Sequence, residues 1–236
     1  MLKSTTLLIA DLHLIADETE KINLFIRFCQ QASTADRLFI LGDLFNTWLG
    51  DDLSINAYPS VISALKTLRK TTQVFIVGGN RDFLLGDEFV KQTGCTILST
   101  PYLLETPSKN YVLIHGDELC TDDKSYQRLK RVLRNPITQF IFLHLPTKTR
   151  LKLSGQLRKK SVKAQTYKSR KIMDVNQQAV DKFMQKYPDA DLIHGHTHRQ
   201  DTHKGEQYTR YVLGDWGVDT GNAIEIGEQL NYLKIR

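Results

Sequence analysis

The stretch TLLIADLH, Thr6 to His13, is a short apolar β-like run that ends on a carboxylate and an imidazole two residues apart. Four more apolar runs end on potential metal donors: LFILGD ends at Asp43, VFIVGGNRD at Asp82, YVLIHGD at Asp117 and LIHGHTH at His198. A single strand end bearing His or Asp means little, since polar residues there commonly serve turns and caps. Five such ends, each delivering an oxygen or nitrogen donor, predict one edge of a sheet built around metal. Seven donors, Asp11, His13, Asp43, Asn80, His115, His196 and His198, suit two ions better than one.

Working outward, β-like runs fall at Thr6 to Ala10, Leu38 to Leu41, Val74 to Val77, Tyr111 to Ile114 and Leu192 to His194, then at Tyr208 to Leu213, Asn222 to Ile226 and Tyr232 to Ile235. Between the early runs, Lys21 to Gln31 places Ile22, Phe25, Ile26 and Cys29 at helical spacing, and Val61 to Leu68 repeats the pattern. Strands alternating with helices predict a layered α/β fold. The later strands lack intervening helices, so antiparallel additions to a mixed sheet are expected.

The 236 residues, 41% hydrophobic and 25% charged, suffice for a sizeable core and exclude wholesale disorder. A single domain over residues 1–236 is expected, with an insertion at about 123–172. That segment breaks the alternation. From Lys124 to Lys171 it carries 15 Lys or Arg and no Asp or Glu, leaving 17 basic against 26 acidic residues elsewhere, so a formal charge of +6 conceals a polarised molecule. Within it Ile137 to Leu145 is almost wholly apolar and is bracketed by Pro136 and Pro146, which mark helix starts or breaks. A helical insertion lying over the sheet edge is the reading. Cations beside an apolar helix also suit an anionic bilayer surface.

Asp, Asn and His supply oxygen and imidazole nitrogen without thiolate, a donor set for Mn, Mg, Fe or Zn rather than a Cys-rich structural site, with Mn the first choice. Asp43 can bridge two cations, and such pairs, about 3.5–4 Å apart, clamp in-line displacement at phosphorus. Asp11 and His13 are expected on the same side of an extended strand end, as are His196 and His198. Asp82 and Asp117 read as carboxylates that orient donors or accept turn hydrogen bonds, His194 as a structural imidazole, and His144 as packing. Gly42, Gly79, Gly116 and Gly195 suit tight turns where backbone approaches the ions.

In this order, DLH, GD, GNRD, HGD and GHTH resemble the calcineurin-like metallophosphoesterase superfamily. The resemblance implies a four-layer αββα sandwich, with Asp11, His13, Asp43 and His198 on one metal and Asp43, Asn80, His115 and His196 on the other. Arg81 departs from the His that many members carry after GN. An arginine cannot donate a proton at neutral pH but can pair bidentately with phosphate, which favours pyrophosphate cleavage over alkyl phosphomonoesters.

GNRD, HGDELCTDD (His115 to Asp123), the basic insertion, MDVNQ (Met173 to Gln177) and HGHTHR (His194 to Arg199) resemble the bacterial UDP-2,3-diacylglucosamine diphosphatases of lipid A biosynthesis. That resemblance implies hydrolysis to 2,3-diacylglucosamine 1-phosphate and UMP at a centre of two Mn2+, with the insertion as a lid. Asp43, Asn80, Arg81 and His115 would be catalytic. Substrate contacts would fall at Asn80, Arg81, Asp123, Ser161, Gln165, Lys168 and His196, Gln165 standing where the family has Asn. The implied location is peripheral, on the cytoplasmic face of the bacterial inner membrane, with an acylated UDP-sugar and an anionic membrane surface as partners and no obligate protein partner.

Other classes fit less well. Asp11 and His13 interrupt the N-terminal apolar run, and no stretch nears the roughly 20 apolar residues of a bilayer span, so neither secretion nor membrane spanning is expected. Cys29, Cys95 and Cys120 form no CxxC pair and read as reduced thiols. The basic segment suits a nucleic-acid module, but its aromatics are few and no helix-turn-helix or RRM signature accompanies it, so no nucleic-acid partner is expected. Gly42-Asp43-Leu44-Phe45-Asn46 does not match GDxVDRG of the phosphoprotein phosphatases; a nucleotide pyrophosphatase or phosphodiesterase is the alternative within the superfamily.

Overall fold

A computed structural model describes residues 5–167, 172 and 174–236, without the side chains of residues 164–167. Two mixed sheets lie face to face, as the family resemblance implied, although the run pattern by itself had suggested one. The six-stranded sheet contains β1 (Thr6–Ile9), β2 (Arg37–Ile40), β3 (Gln73–Val77), β4 (Thr96–Leu98), β10 (Gly221–Ile226) and β11 (Leu230–Ile235), in the order β11-β10-β1-β2-β3-β4. β1 to β4 run parallel, and β10 and β11 are added antiparallel, as expected for strands that follow without helices. The five-stranded sheet contains β5 (Tyr102–Leu104), β6 (Asn110–Leu113), β7 (Ala190–His194), β8 (Asp201–Lys204) and β9 (Thr209–Val212), in the order β5-β6-β7-β9-β8.

Side-chain alternation explains why the early runs are continuously apolar. Leu7 and Ile9, Leu38 and Ile40, Val74 and Ile76 face α1 (Thr19–Ala32), α3 (Pro59–Leu68) and α4 (Asp87–Thr93), which pack on the outer face through Phe25, Leu65 and Phe89; a short α2 spans Asp51–Ser54. Their neighbours Leu8, Ala10, Phe39, Leu41 and Val77 face the second sheet, meeting Leu113, Ile193 and Leu213. Both faces of these strands are therefore dry. On the far side, Val112, Ile114 and Leu192 pack against Val180 and Met184 of α8 (Gln177–Met184), completing helix, sheet, sheet, helix. β4, β5 and β8 were not foreseen: each has only three or four residues, and β8, DTHK, contains no aliphatic side chain.

The basic segment forms α5 (Lys124–Leu133), α6 (Pro136–Leu143) and α7 (Thr147–Tyr167). Asp123 caps α5 by accepting from Tyr126 N at 3.0 Å, and Asn135 caps α6 with Pro136 in its first turn. The apolar run of α6 faces solvent: Ile137, Phe140 and Ile141 are 69%, 63% and 57% exposed. His144, read as packing, lies outside the core and packs within the insertion, its ring 4.1 Å from that of Phe140. Arginines pin the insertion to the sandwich instead. Buried Arg150 donates to Leu49 O at 2.8 Å and pairs with Asp52, and Arg134 donates to Gly79 O at 2.8 Å with its guanidinium over the Phe83 ring. Among the described residues no helix is long and apolar enough to cross a membrane.

Candidate metal centre

The five motifs converge where β1, β2 and β3 of one sheet and β6 and β7 of the other end side by side, so the donors come from two sheets rather than one edge. The local backbone also differs from the expected extended strand end. Asp11, His13, Asp43, His196 and His198 have φ of 56°, 48°, 53°, 67° and 59°, and among the described residues they are the non-glycine positions with positive φ. Left-handed backbone costs of order 1–3 kcal/mol at such residues and persists where surrounding structure enforces it. Here His13 N donates to Asp43 O at 2.8 Å and His196 N donates to Asp11 Oδ2 at 2.7 Å, locking the loops onto one another.

Crowding makes two glycines obligatory. A Cβ on Gly79 would stand 2.1 Å from Asp43 Oδ1, and one on Gly195 would stand 2.3 Å from Asp11 Oδ2. Asp82, fully buried, accepts from the backbone N–H groups of Gly79, Asp43 and Phe45, tying the GNRD loop to the GD loop. Asp117 accepts from Tyr126 Oη at 2.5 Å and pairs with Lys130 Nζ at 2.9 Å, so α5 is fastened to the HGD loop. Both carboxylates hold loops, as the sequence suggested. His194 is structural too: its Nδ1 faces Gly195 O at 2.8 Å and its Nε2 accepts from Arg210 at 3.2 Å.

The donors fall into two overlapping groups. His13 Nε2 and His198 Nε2 are 3.0 Å apart, with Asp11 Oδ1 3.9 and 3.5 Å from them, and His13 Nδ1 is 3.7 Å from Asp43 Oδ2. Asn80 Oδ1 lies 3.0 Å from both His115 Nε2 and His196 Nδ1, while Asp43 Oδ1 is 3.9 Å from His115 Nε2. His115 Nδ1 faces Leu41 O at 2.8 Å, which keeps a proton on Nδ1 and leaves Nε2 directed at the Asn80 oxygen, free to give up its own proton to a cation. Buried Asp11 Oδ1 has no hydrogen-bond partner. A cation between such groups satisfies them all, and the carboxylate, carboxamide and imidazole set suits a divalent ion.

Charge leads to the same conclusion. Burial raises the Asp43 carboxyl to about 7 against the opposing pull of His115. Burial would lower His115, but the carboxylates of Asp43 and Asp11 lift it to about 9. The buried acids therefore demand positive charge at their centre. Arg81 stands beside them, its N–H donating to Asp43 Oδ1 at 2.9 Å, its Nη1 to Asn46 Oδ1 at 3.1 Å and its Nε lying 3.6 Å from Asp43 Oδ2, with a third of the side chain open to solvent.

The family model described as "Calcineurin-like phosphoesterase" matches residues 4–200. The chain belongs to that family. This phosphoesterase is 42% identical over 224 residues to a UDP-2,3-diacylglucosamine hydrolase of Histophilus somni, covering 94% of this chain and 95% of that one. It is 43% identical over 222 residues to a Tolumonas auensis protein of the same name, covering 91% and 90%. Among solved structures a dimetal phosphatase from Danio rerio superposes with a TM-score of 0.54 at 14% identity, covering 98% of each chain, which bears on the fold alone.

Of the residues singled out in the sequence, Asp11, His13, Asp43, Asn80, Arg81, His115, His196 and His198 gather in the phosphoesterase centre. Asp123 serves as the α5 cap, and Ser161 is exposed on α7. Gln165 lies on α7 with its side chain outside the described residues, and Lys168 lies outside them altogether. Four participants were given no site role in the sequence reading: Asn46, which braces Arg81; Tyr126, whose ring stacks 6.2 Å from His196; Arg134 in its contact with Gly79; and Asp215, 3.6 Å from His198 Nδ1. Only Asp215 had a readable signal, since Leu213-Gly214-Asp215 repeats the apolar-Gly-Asp pattern of Leu41-Gly42-Asp43.

Proposed function

We propose that this phosphoesterase hydrolyses the diphosphate of UDP-2,3-diacylglucosamine to UMP and 2,3-diacylglucosamine 1-phosphate. The observation that carries this reading is the placement of an arginine-flanked cation centre beside helices with exposed aliphatic and aromatic side chains, a fit for a head with two phosphates and two acyl tails. The name of the relatives, matched over nine-tenths of their length, supports the same substrate.

Asp11, His13, Asp43 and His198 would hold one Mn2+, and Asp43, Asn80, His115 and His196 the other. Bound there, the two ions supply a water activated near neutral pH and Lewis acidity toward a phosphoryl oxygen. The protein's own part is positional and electrostatic: Arg81, held by Asn46 and Asp43, presents fixed N–H groups to the attacked phosphoryl group, so charge that develops there meets a preoriented donor. Attack at the UMP-side phosphorus breaks its bond to the bridging oxygen, and 2,3-diacylglucosamine 1-phosphate leaves as a phosphate that needs no proton, consistent with Arg rather than His at this position. Asp123, Ser161, Gln165, Lys168, Asn80 and His196 are the further substrate contacts we assign, with α5 to α7 as a lid on a single domain of residues 1–236. The cationic, greasy lid suits peripheral attachment to an anionic bilayer, at about 1 kcal/mol per Lys or Arg close to it, on the cytoplasmic face of the inner membrane.

The test is incubation of the Mn-loaded protein with the diacylated UDP-sugar in oxygen-18 water. Label in UMP is expected. Label in the sugar phosphate would move the attack to the other phosphorus, and equal cleavage of UDP-sugars without acyl chains would remove the lipid substrate and favour a general nucleotide pyrophosphatase.

A further inference from the structure

A cavity of about 370 Å³ opens between α8 and the β8–β9 hairpin, lined by Gln177, His203, Lys204, Tyr208 and Arg210 among others; none of the metal-site donors reaches it. Arg210 is 6% exposed, yet among the described residues no carboxylate sits at ion-pair distance from its guanidinium. Its Nη1 donates to His194, and its Nε is buried without a hydrogen-bond partner. Asp174 and Asp201 act on it only from farther away, and each has a nearer partner, Arg199 and His203 respectively. A buried guanidinium without a counter-charge is costly, and a carboxylate or phosphate oxygen is its natural complement.

The charged residues of the lining are Arg210 and Lys204 of one sign and Asp181 and Glu206 of the other. Lys204 projects from the hairpin, and Gln177 supplies an amide at the mouth. Asp181, the acid that also lines the cavity, already accepts from Tyr208 Oη at 2.5 Å and from Gln177 Nε2 at 2.8 Å, and Glu206 is exposed on the turn.

We propose that this cavity binds a small oxyanion, phosphate or carboxylate, against Arg210 and Lys204. The site is independent of the hydrolytic reaction and shares no residue with its centre. Arg210 is linked to that centre only at one remove: the His194 ring it donates to reaches Gly195 O, one residue before His196.

The test follows the amide shifts of Gly205 and Glu206 and the Gln177 side-chain amide in the full-length, Mg-loaded protein. Inorganic phosphate, and separately acetate, would be titrated in at constant ionic strength. Saturable shifts at these positions are expected in the wild type. Lys204→Ala, on the exposed hairpin, should weaken the midpoint about tenfold, the scale of one charge-assisted contact, and Arg210→Gln should abolish saturation while still donating to His194. Saturation by phosphate alone assigns the site to phosphate groups; saturation by both anions assigns it to oxyanions in general. Linear drift without saturation, or an unchanged midpoint in Lys204→Ala, overturns the proposal.

Discussion

Arg134, just beyond α5, donates to the carbonyl of Gly79 at 2.8 Å, so the insertion that flanks the site also grips the loop presenting Asn80 and Arg81. The contact is charge-assisted, and cation-π packing on Phe83 at 5.0 Å fixes the guanidinium in place. Arg134→Ala should free the GNRD loop and reduce kcat/KM roughly tenfold or more, by the loss of about 1.5–3 kcal/mol in such a bond. Steady-state kinetics with a parallel Mn2+ titration will check it; unchanged metal affinity and turnover would make the contact incidental.

Asp43 and His115 are among the proposed ligands of the cation centre, and both stand in loops just beyond strand ends. Asp43→Ala or His115→Ala should lower turnover by at least about a thousandfold, in keeping with loss of metal-stabilised charge, while leaving the far-ultraviolet spectrum unchanged. Elemental analysis should find less than the wild-type complement of Mn. Chelation should silence the wild type and added Mn2+ should restore it; a variant as active as wild type after that cycle would contradict the assignment.

His194 makes stability depend on pH. Burial, with Arg210 contributing, lowers its imidazole to about 3, whereas in the unfolded chain it titrates near the ordinary 6.5. Above pH 7 both states are neutral there. As pH falls below 6.5 the unfolded chain takes up a proton that the folded one refuses, so stability is lost, by about 2 kcal/mol at pH 5. Urea unfolding of wild type and His194→Gln between pH 7.5 and 5 should give the shallower dependence in the variant, and parallel curves would refute the account.

Ile137 and Phe140 are displayed rather than buried, so their removal should spare the fold. Ile137→Ser with Phe140→Ser should reduce cleavage of the acylated substrate several-fold or more, since each large side chain withdrawn from water is worth about 1.5–3 kcal/mol. Hydrolysis of a soluble phosphodiester should be unchanged. Equal losses on both substrates would show that the helix supports the centre rather than the tails.

The apolar runs, their polar endings and the helix marks at Pro136 and Pro146 are local, and they made the layered α/β class and eight of the site residues legible. Periodicity could not divide the strands between two sheets, because Leu7 and Leu8 are equally apolar although one faces helices and the other the opposing sheet. Nor could it find Asn46 or Tyr126, whose roles exist only through contacts with Arg81 and with Asp117 and His196.

What the chain order alone determined was which chemical groups are available and that each follows a dry strand. What the tertiary structure decided was their convergence: left-handed turns at Asp11, His13, Asp43, His196 and His198, bearable only because neighbouring loops hydrogen-bond across them, aim the donors at common points. Convergence of this kind depends on contacts between residues as far apart as Asp11 and His196, and such distances are invisible to any local pattern.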